Sequence, residues 1–578
     1  MTWELKNTLK EIVAQESGAQ VFARGVRRPV AFIYPNTYHV GMSNLGLHIL
    51  YQLINSRGDA ACERFFLPDN KLLAAYKRSK TPLLSLETQQ PLADFDIICV
   101  MMSFEMDYTN LLTMLSMSHV KLEAAARGEK EPLVIIGGPC ATFNPEPLAA
   151  VADAFIIGEG EETVEVLLDT IYGLQDKGLK KAEILLALAQ QPGIYVPRFY
   201  KPQYDADGAF CAMQASPDVP VKVKRQWVRE LDKYPHTSAI MTSGTEFENM
   251  YIVEVARGCG RHCRFCMAGY CFRKPRARNL DVLLDKIRNR PPQTKKVGLM
   301  GAAVSDYPQI KELTATLVAE QIPFTVASLR ADTLDAELTE ALAASGQRTM
   351  TVAPEAGSVK LRNVINKGIT EEHVFNAIEL AAAAGMKNIK LYYMLGLPGE
   401  DDGDIEEMIA MIQRVREKMD AAGNRGDLII SVNGFIPKPF TPFQWSPLCD
   451  VKVLKRRFKM LEGAFKKALH IQVQTESLKE TVLQAVLARG DRKIGAALLE
   501  AFRRELPLKQ VLKEQGLDME ELATTAYTPG GPLPWQHLDM GFSEAYLLSE
   551  LQKSQREEFT PMCFDLCRRC GVCGEAEA

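Results

Sequence analysis

The stretch ARGCGRHCRFCMAGYCFRKPRAR, residues 256–278, decides the fold of this chain. It begins at the end of the apolar run YIVEVA, residues 251–256, which is typical of a buried strand. The loop after that strand carries Cys259, Cys263 and Cys266. Three thiolates so close together can ligate three irons of a [4Fe-4S] cube and leave the fourth iron open. An open metal position is what catalysis requires, whereas a closed site is structural.

Two further interpretations of this loop stay open from the sequence. Cys271, five residues after Cys266, offers a fourth thiol. A zinc site is the other interpretation, although structural zinc usually takes four ligands from two separated pairs. Three thiolates within eight residues match that arrangement poorly, so we expect iron and sulfide here.

Strand and helix patterns alternate six times between residues 246 and 450. Short apolar runs alternate with helical stretches such as EEHVFNAIELAAAAG. Six units predict a partial barrel, (β/α)6, because the closed form has eight. The strands are predicted at YIVEVA, KVGLMG, PFTVAS, RTMTVA, NIKLYYM and DLIISVN.

The spacing Cys-x3-Cys-x-aromatic-Cys after the first strand of such a barrel resembles the radical S-adenosylmethionine (SAM) superfamily, over about residues 246–450. The resemblance implies an oxygen-sensitive enzyme in which SAM binds the open iron. One electron from the cluster cleaves SAM to methionine and a 5′-deoxyadenosyl radical, which abstracts hydrogen from the substrate. Phe265 would offer an apolar face to adenine. Arg257, Arg261 and Arg264 would make the loop electropositive and lower the thiolate pKa.

Further family-like residues stand at the strand ends, where the active sites of barrels lie. The position after the second strand lacks the acid of the family's Gly-Gly-Glu, so backbone carbonyls or Asp306 would hold the SAM amino group. A serine and an arginine after the third strand would hold the carboxylate and the ribose, and a glutamate after the fourth a ribose hydroxyl. Two glycines after the fifth would let the backbone approach adenine. In chain order these candidates are Gly301, Ser328, Arg330, Glu355, Gly396 and Gly399.

A second α/β region precedes the barrel. Residues 1–24 are predicted to form one helix, residues 25–200 a Rossmann-like domain with a parallel sheet, and residues 201–245 a linker. The strand ends of the Rossmann-like domain resemble those of cobalamin-binding domains, where a serine and paired glycines surround the nucleotide tail. The resemblance gives this role to Ser103, Gly137 and Gly138.

The cobalt-ligating motif of such domains, Asp-x-His-x-x-Gly, does not occur in the chain. Its matching positions hold Asn36, Tyr38 and Gly41, and His39 lies one residue out of register. Some cobalamin-dependent radical SAM enzymes also lack this histidine, so cobalamin stays a candidate cofactor. The alternative is a Rossmann-like domain that only packs or shapes the substrate channel.

Residues 451–578 are predicted to form a mostly helical region that ends in a second cysteine cluster, CFDLCRRCGVCG. Four thiolates in eleven residues are typical of compact ferredoxin runs rather than of separated zinc pairs. We expect a second iron–sulfur cluster that relays an electron or binds substrate, with structural zinc as the alternative. Its candidate ligands are Cys563, Cys567, Cys570 and Cys573.

The overall composition limits the classes of partner. The chain of 578 residues has 68 Lys and Arg against 72 Asp and Glu, a net charge of -4, which argues against a protein that coats DNA. No run approaches about 18 apolar residues, and the first residues lack a signal-peptide pattern, so we expect a cytoplasmic protein that does not contact membranes. A reductant such as flavodoxin or ferredoxin is the partner that the resemblance implies.

A basic face makes RNA a candidate substrate. Seven Lys and Arg residues lie within 16 residues of one predicted helix, and four more follow the cysteine loop. Together they could form a groove for phosphates, although a solvated helix face is the simpler interpretation. These residues are Lys452, Lys455, Arg456, Arg457, Lys459, Lys466, Lys467, Arg273, Lys274, Arg276 and Arg278.

The function expected from these features is a radical SAM enzyme that acts on a small molecule or on RNA. Methyl transfer to an unactivated carbon follows if cobalamin binds, and a radical rearrangement, oxidation or sulfur insertion if it does not. The alternative is an RNA-binding or scaffold protein with a catalytically silent iron–sulfur cluster. Asn433, Lys438 and Thr441, after the sixth strand, are expected to line the substrate end of the barrel.

Overall fold

A computed structural model describes residues 2–564 and 567–574 as a mixed α/β protein. The first sheet contains β1 (Arg28–Tyr34), β2 (Ala60–Phe66), β3 (Ile97–Met101), β4 (Leu133–Gly137), β5 (Ala154–Ile156) and β6 (Ile194–Tyr195). Its order is β2-β1-β3-β4-β5-β6, and the strands are parallel except for β6. The accompanying helices are α1 (Thr2–Ala14), α2 (Tyr38–Gly41), α3 (Leu45–Ser56), α4 (Asn70–Ser79), α5 (Tyr108–Met117), α6 (Pro139–Phe143), α7 (Gly160–Asp176) and α8 (Lys181–Ala189).

The sheet is larger than its apolar runs predict, because β2 and β6 are added. The sequence of β2, AACERFF, is interrupted by Glu63 and Arg64, yet all seven residues are buried. Arg64 is paired with Glu16 and with Glu87, each at an N–O distance of 2.6 Å. A buried charge needs such partners, and these come from segments far apart in the sequence. The pattern of the strand alone therefore hides its burial.

The N-terminal helix is shorter than predicted, since α1 ends at Ala14 and residues 15–24 are not helical. Ser17 pairs with Met241 of the linker, and a Cβ atom on the adjacent Gly18 would lie 2.3 Å from a backbone oxygen. That close approach of two backbones leaves no room for a helix. The linker itself contains three short strands, β7 (Tyr200–Tyr204), β8 (Phe210–Ala215) and β9 (Val223–Lys224).

The barrel region supplies two more parallel sheets, β10-β13-β14 and β15-β16-β17-β18, which a parallel bridge between Leu329 and Val352 connects. Its strands are β10 (Met250–Glu254), β11 (Ala256–Arg257), β12 (Arg276–Ala277), β13 (Lys296–Met300), β14 (Phe324–Val326), β15 (Thr349–Glu355), β16 (Asn388–Leu395), β17 (Leu428–Gly434) and β18 (Ile471–Thr475). Its helices are α9 (Met267–Cys271), α10 (Leu280–Arg288), α11 (Ile310–Ala319), α12 (Ala336–Ala344), α13 (Val359–Val364), α14 (Glu371–Ala383), α15 (Asp402–Ala421) and α16 (Val451–Phe465).

The described part of the barrel has seven parallel strands where six are predicted. The additional strand, β18, pairs with β17 in a continuous register. Its sequence IQVQT alternates polar with apolar residues, and the strand is partly exposed. It therefore lacks the apolar run that marks the other strands, and it lies among residues that are predicted to be helical.

The C-terminal region is mostly helical, as predicted, and its last part turns back to the barrel. Its elements are α17 (Leu478–Arg489), α18 (Arg492–Arg503), α19 (Leu508–Glu514), α20 (Met519–Thr524), β19 (Leu538–Asp539) and α21 (Glu544–Gln555). The strand β19 pairs with β9 of the linker, which joins the two ends of the barrel region. Over residues 2–564 and 567–574, no helix is long and apolar enough to cross a membrane.

Candidate active site

A cavity of about 520 Å³ lies between the carboxyl edge of the first sheet and the cysteine loop. Ser103, Gly137 and Gly138 line it from the first sheet, and Gly301 lines it from the end of β13. The cavity thus brings residues predicted to contact cobalamin together with one predicted to contact SAM. Most of its wall is apolar and includes Phe32, Leu45, Ile49, Leu50, Ile135, Ile156 and Val164.

The cysteine loop is closed at its base by the antiparallel pairing of β11 with β12. Gly258, directly after β11, has a φ of +80°, and a Cβ atom there would lie 2.1 Å from the carbonyl oxygen of Phe272. Only glycine satisfies both the left-handed conformation and this contact. The loop therefore turns back sharply, which places Cys259, Cys263 and Cys266 near one another.

A buried network of charges fixes the base of the loop to the first domain. Arg257 contacts Glu159, Glu161 and Glu254 at N–O distances of 3.2, 2.6 and 2.8 Å. Arg276, across the hairpin, contacts Glu159 at 2.6 Å. Glu159 and Glu161 flank the start of α7, so these pairs connect the loop to the edge of the cavity.

The other two arginines of the loop are also paired. Arg261 contacts Asp306 at 2.9 Å and Asp332 at 3.1 Å. Arg264 contacts Glu550 of α21 at 3.2 Å, and both of these side chains are fully buried. The positive charge of the loop is therefore balanced by acidic side chains. Asp306, a candidate contact of the SAM amino group, is paired with Arg261.

Two of the three thiols of the loop have a raised pKa. Burial, with a contribution from the neighbouring Cys263, raises the pKa of Cys259. Burial also raises the pKa of Cys266 to about 12, and the other two thiols add to this effect. The prediction that the loop arginines lower the thiolate pKa is therefore wrong, because their charge is already paired. Iron binding must displace these protons, which couples metal loading to pH.

The predicted SAM-binding residues Arg330, Glu355 and Phe265 lie together, and Lys367 joins them. The Lys367 ammonium is 3.1 Å from Glu355 and 5.9 Å from the centre of the Phe265 ring. Arg330 donates to the carbonyl oxygen of Lys367 at 2.9 Å. Burial lowers the pKa of Lys367, but Glu355 and Cys263 offset it, so that the pKa is raised on balance. This group is therefore next to the cysteine loop.

Two residues of this group are additions to the sequence analysis. Asp332 accepts hydrogen bonds from Arg330 at 2.9 and 3.0 Å and from Arg261 at 3.1 Å, so it connects the strand end with the cysteine loop. It lies within the SLRAD stretch, where its spacing from Arg330 could have indicated it. Lys367 follows α13 and has no motif that marks it.

The backbone of Glu355 is strained in a manner typical of functional positions. Its φ is +69°, in the left-handed region that side chains other than glycine rarely adopt. Such a conformation costs about 1–2 kcal/mol and persists only where the surroundings impose it. The salt bridge to Lys367 at 3.1 Å is one of the contacts that hold the carboxylate in this place.

The remaining predicted SAM contacts are less well placed. Gly396 and Gly399 have φ values of +87° and +78°, and their turn lets Glu400 accept a hydrogen bond from the Gly396 amide at 2.8 Å. A Cβ atom on Gly396 would lie 2.9 Å from the Cβ of Cys449, so packing on that cysteine already explains this glycine. Ser328 is exposed on the loop after β14. Their contact with SAM stays a prediction.

Several residues considered for metal binding lie elsewhere. The thiol of Cys271 is buried and contacts the sulfur of Met540 at 3.9 Å. His39 is exposed and contacts Glu246 at 3.1 Å, while Tyr38 donates to Glu16 at 2.6 Å. None of these residues lines the cavity.

The C-terminal tail, of which residues 556–564 and 567–574 are described, returns to the cysteine loop. The amide of Cys563 donates to the carbonyl oxygen of Gly260 at 2.8 Å. The Cys563 thiol is 3.4 Å from Nε2 of His262. Thr560 and Asn366 exchange hydrogen bonds of 2.8 and 2.9 Å, which holds the tail against the barrel. Two cysteine groups that are far apart in the sequence thus meet.

The predicted basic groove does not form. Arg273, Arg276 and Arg278 are buried in contacts with the linker and with the loop, so they cannot join an exposed face. On α16, Arg456 contacts Asp402 and Arg457 contacts Glu400, each at 2.8 Å. The expectation of an RNA groove across both segments is therefore wrong, because three of its eleven cations are buried and two more are paired with acidic side chains.

A single metal ion needs several donor atoms around one centre. Within residues 2–564 and 567–574, no three His, Cys, Asp or Glu side chains are arranged to hold one ion. A zinc site would bring its thiolates to about 2.3 Å from one centre. A four-iron cluster instead takes each thiolate on a different iron.

Two family models match the chain. The model described as radical SAM proteins, N-terminal, matches residues 46–197, and that of the radical SAM superfamily matches residues 253–412. A protein of Methanocaldococcus jannaschii that is named only as uncharacterised is 30% identical over 492 residues, covering 84% of this chain and 94% of that protein. The chain belongs to the radical SAM superfamily.

Two further proteins match a smaller share of this chain. The tRNA-2-methylthio-N(6)-dimethylallyladenosine synthase of Carboxydothermus hydrogenoformans is 26% identical over 179 residues, which is 28% of this chain and 40% of that enzyme. The solved structure of the radical SAM methyltransferase TsrM from Kitasatospora setae, with cobalamin and a [4Fe-4S] cluster bound, has a TM-score of 0.49 and 15% identity. It covers 72% of this chain and 77% of that one.

Membership in this superfamily makes the protein a radical SAM enzyme, which works with a [4Fe-4S] cluster and SAM and needs an electron donor and a substrate.

Proposed function

We propose that this radical SAM enzyme holds its [4Fe-4S] cluster on Cys259, Cys263 and Cys266 and cobalamin in the cavity beside them, and transfers a methyl group to a carbon atom of its substrate. The observation that carries the proposal is the cavity of about 520 Å³, which extends from the edge of the first sheet to the cysteine loop. Cobalamin supplies a methyl carrier when it is bound.

The lining of the cavity fits a corrin in two respects. Its wall is mostly apolar, as the faces of a macrocycle require, while Ser43, Asn44 and Ser103 offer polar atoms to the amide groups at the corrin edge. Glycines keep the space open, since a Cβ atom on Gly138 would lie 2.8 Å from the carbonyl oxygen of Met102. A bulkier residue at this turn would require the backbone to move.

The lining contains no histidine among the described residues, and His39 lies on the surface against Glu246. The chain therefore provides no imidazole for cobalt at this place. Cobalamin would be held through its ring and its side chains rather than through a protein ligand to the metal.

SAM would lie on the other side of the loop. Arg330 and Lys367 are the buried cations next to Cys263, and they suit the SAM carboxylate. Glu355 is placed for a ribose hydroxyl, and the ring of Phe265 for adenine. The low exposure of these side chains strengthens each of these interactions because little water competes for them.

Sulfur insertion is less well supported by the first domain. Cys62 and Cys99 lie within β2 and β3, and Cys140 lies in α6. All three are buried, and burial raises the pKa of each thiol. They are not arranged to hold a further metal ion among the described residues.

The radical chemistry is tested first. The chain is loaded anaerobically with iron and sulfide and given SAM and dithionite, and 5′-deoxyadenosine is quantified. We expect production by the natural chain and none by Cys259→Ala. The exposed Cys211→Ala variant is the matched control, because it removes a thiol from the hairpin of the linker. Failure of the natural chain to form 5′-deoxyadenosine, with its cluster fully loaded, would contradict the proposal.

Cobalamin binding is tested separately, by equilibrium dialysis with hydroxocobalamin. A Cβ atom on Gly137 would meet only Ile156, at 3.7 Å, so Gly137→Leu places its side chain in the cavity. We expect this variant to lose cobalamin binding. Gly173→Leu, on the exposed face of α7 where the corresponding Cβ meets no atom within 4 Å, should bind normally. Equal binding by both variants, or none by the natural chain, would remove cobalamin from the proposal.

A further inference from the structure

The tail and the cysteine loop are joined at two of the three residues that lie between Cys259 and Cys263 in the first motif, Gly260 and His262. Gly260 accepts a hydrogen bond from the Cys563 amide at 2.8 Å, and His262 contacts the Cys563 thiol at 3.4 Å. Gly260 adjoins one predicted cluster ligand and His262 adjoins another. A ligand of the second cysteine group is thus one hydrogen bond from the backbone of the first.

The four thiols of the tail lie close to one another and to one cation. The Cys563 thiol lies near the thiols of Cys567, Cys570 and Cys573, and the Arg273 guanidinium lies near Cys563 and Cys573. Cys567 and Cys570 are buried, as ligands of a shielded cluster would be.

The orientation of His262 follows from its neighbours. Nδ1 lies 3.1 Å from the Arg273 guanidinium and beside the Tyr546 hydroxyl, whereas Nε2 lies 3.4 Å from both the Cys563 sulfur and the Arg569 guanidinium. Arginine can only donate, and its contact with Nδ1 is the shorter of the two, so we assign the acceptor role to Nδ1 and the proton of the neutral ring to Nε2. This arrangement gives an N–H···S hydrogen bond from the first loop to a thiolate of the tail. Hydrogen bonds to the sulfurs of a cluster stabilise its reduced state and raise its potential.

We infer that Cys563, Cys567, Cys570 and Cys573 hold a second [4Fe-4S] cluster, and that it passes electrons to the cluster of the three-cysteine loop across the contact with Gly260 and His262. Four protein ligands leave no iron open for SAM or substrate, which suits electron transfer. The inference rests on the proposed function insofar as it takes Cys259, Cys263 and Cys266 as ligands of the first cluster.

The electron balance of this relay is simple. A one-electron protein donor, a reduced flavodoxin or ferredoxin, loses one electron to the tail cluster, which changes from the 2+ to the 1+ state. The tail cluster returns to 2+ as the loop cluster changes from 2+ to 1+. No bond is formed or broken in either transfer, and no proton has to move.

Iron content tests the ligands. The full chain is reconstituted anaerobically, and iron, sulfide and zinc are measured for the natural protein, for Cys263→Ala/Cys266→Ala and for Cys567→Ala/Cys570→Ala. We expect about eight irons in the natural chain and about four in each variant. About four irons in the natural chain, lost only in the loop variant, would overturn the second cluster while leaving the first intact. Zinc in place of iron in the tail would overturn it as well.

The relay is tested by electron paramagnetic resonance of the reduced protein. We expect the spectrum of the natural chain to show spin–spin broadening between two reduced clusters, and that of each double variant to be narrow. Flavodoxin should reduce the loop cluster at least tenfold more slowly in Cys567→Ala/Cys570→Ala. Two magnetically isolated clusters, or an unchanged rate of reduction, would contradict electron transfer through the tail.

His262 is tested as a positioning residue through the potential of the tail cluster. His262→Leu removes the N–H donor, whereas His262→Gln keeps one. We expect the midpoint potential of the tail cluster to fall in the leucine variant and to stay near the natural value in the glutamine variant, with the iron content unchanged in both. Equal potentials in all three proteins would show that the N–H···S contact has no part in the relay.

Discussion

The two cysteine groups of this protein have the same beginning and different ends. Cys259-x3-Cys263-x2-Cys266 and Cys563-x3-Cys567-x2-Cys570 share their spacing, and the tail then adds Cys573. Spacing alone would thus give both groups the same chemistry. Under the proposed assignment, the difference of one thiol separates a set that would leave an iron open from one that would close it.

The residue before the third cysteine also differs between the two groups. In the loop it is Phe265, whose ring lies 5.9 Å from the Lys367 ammonium in the proposed SAM site. In the tail it is Arg569, whose guanidinium donates to the carbonyl oxygen of Pro561 at 2.6 Å. The same guanidinium is 3.4 Å from Nε2 of His262. An apolar face suits a bound nucleoside, whereas this cation holds the tail together and contacts the loop. The surroundings therefore distinguish two motifs that the spacing leaves equal.

The largest difference between the two groups is expected when one candidate ligand is removed from each. We expect Cys263→Ala to abolish formation of 5′-deoxyadenosine with any reductant, because the open iron is lost. Cys570→Ala should retain formation with dithionite, since the small reductant reaches the loop cluster directly. Liquid chromatography of the reaction measures both. Equal losses in the two variants would mean that the groups do not differ in role.

Docking of the tail is tested at the buried pair of Arg264 and Glu550, which has 0% exposure on both sides. Glu550→Gln leaves a buried cation unpaired, which costs about 3–5 kcal/mol. We expect hydrogen exchange in residues 541–564 to accelerate accordingly, as measured by mass spectrometry. The control is Glu520→Gln, whose exposed pair with Lys509 contributes about 0–1 kcal/mol. Unchanged exchange in Glu550→Gln would mean that the pair does not hold the tail.

Removal of the Cys573 thiol tests whether the tail group differs from the loop group by a fourth cluster ligand. Cys573→Ala should give the tail cluster an open iron, like that of the loop, and make it labile. We expect the iron content to fall by about one per chain after treatment with a chelator. The electron paramagnetic resonance spectrum should then change to that of a three-iron cluster. A tail cluster that keeps all its iron would show that Cys573 is not a ligand.

The smallest effect is expected at Phe265. Phe265→Leu keeps an apolar side chain but removes the ring, and aromatic contacts contribute about 0.5–1.5 kcal/mol beyond their area. We expect the KM for SAM to rise about two- to tenfold, with kcat little changed. Kinetics of 5′-deoxyadenosine formation measure this. A change in kcat alone would place the ring at the reacting atoms instead.

The fold could be predicted from the sequence wherever strands are continuous apolar runs. DIICVM and PLVIIG are such runs, and both lie in the first sheet as β3 and β4. The sequence does not reveal β2, because its charged residues are satisfied by Glu16 and Glu87 from other segments. It does not reveal β18 either, because that strand is partly exposed. Both failures have one physical cause, since pairing depends on partners that are distant in the chain.

The candidate site shows the same limit. Spacing selects both cysteine groups and the strand-end rule selects Arg330 and Glu355 as candidates, because those signals are local. Lys367 has no local signal, and only the fold brings it to Glu355 at 3.1 Å. The electropositive loop was a wrong prediction for a related reason. The acids that pair Arg257 come from α7 and β10, at positions that no local pattern connects.

The docking of the tail has a consequence for the order in which the enzyme is made. Cys563 follows His262 by 301 residues, which a ribosome takes about 15–60 s to synthesise at about 5–20 residues per second. During that interval the three-cysteine loop exists without the thiol, the Thr560 backbone and the Glu550 carboxylate that later cover one of its sides. Cluster delivery to the nascent chain thus meets a more open loop than delivery to the finished protein.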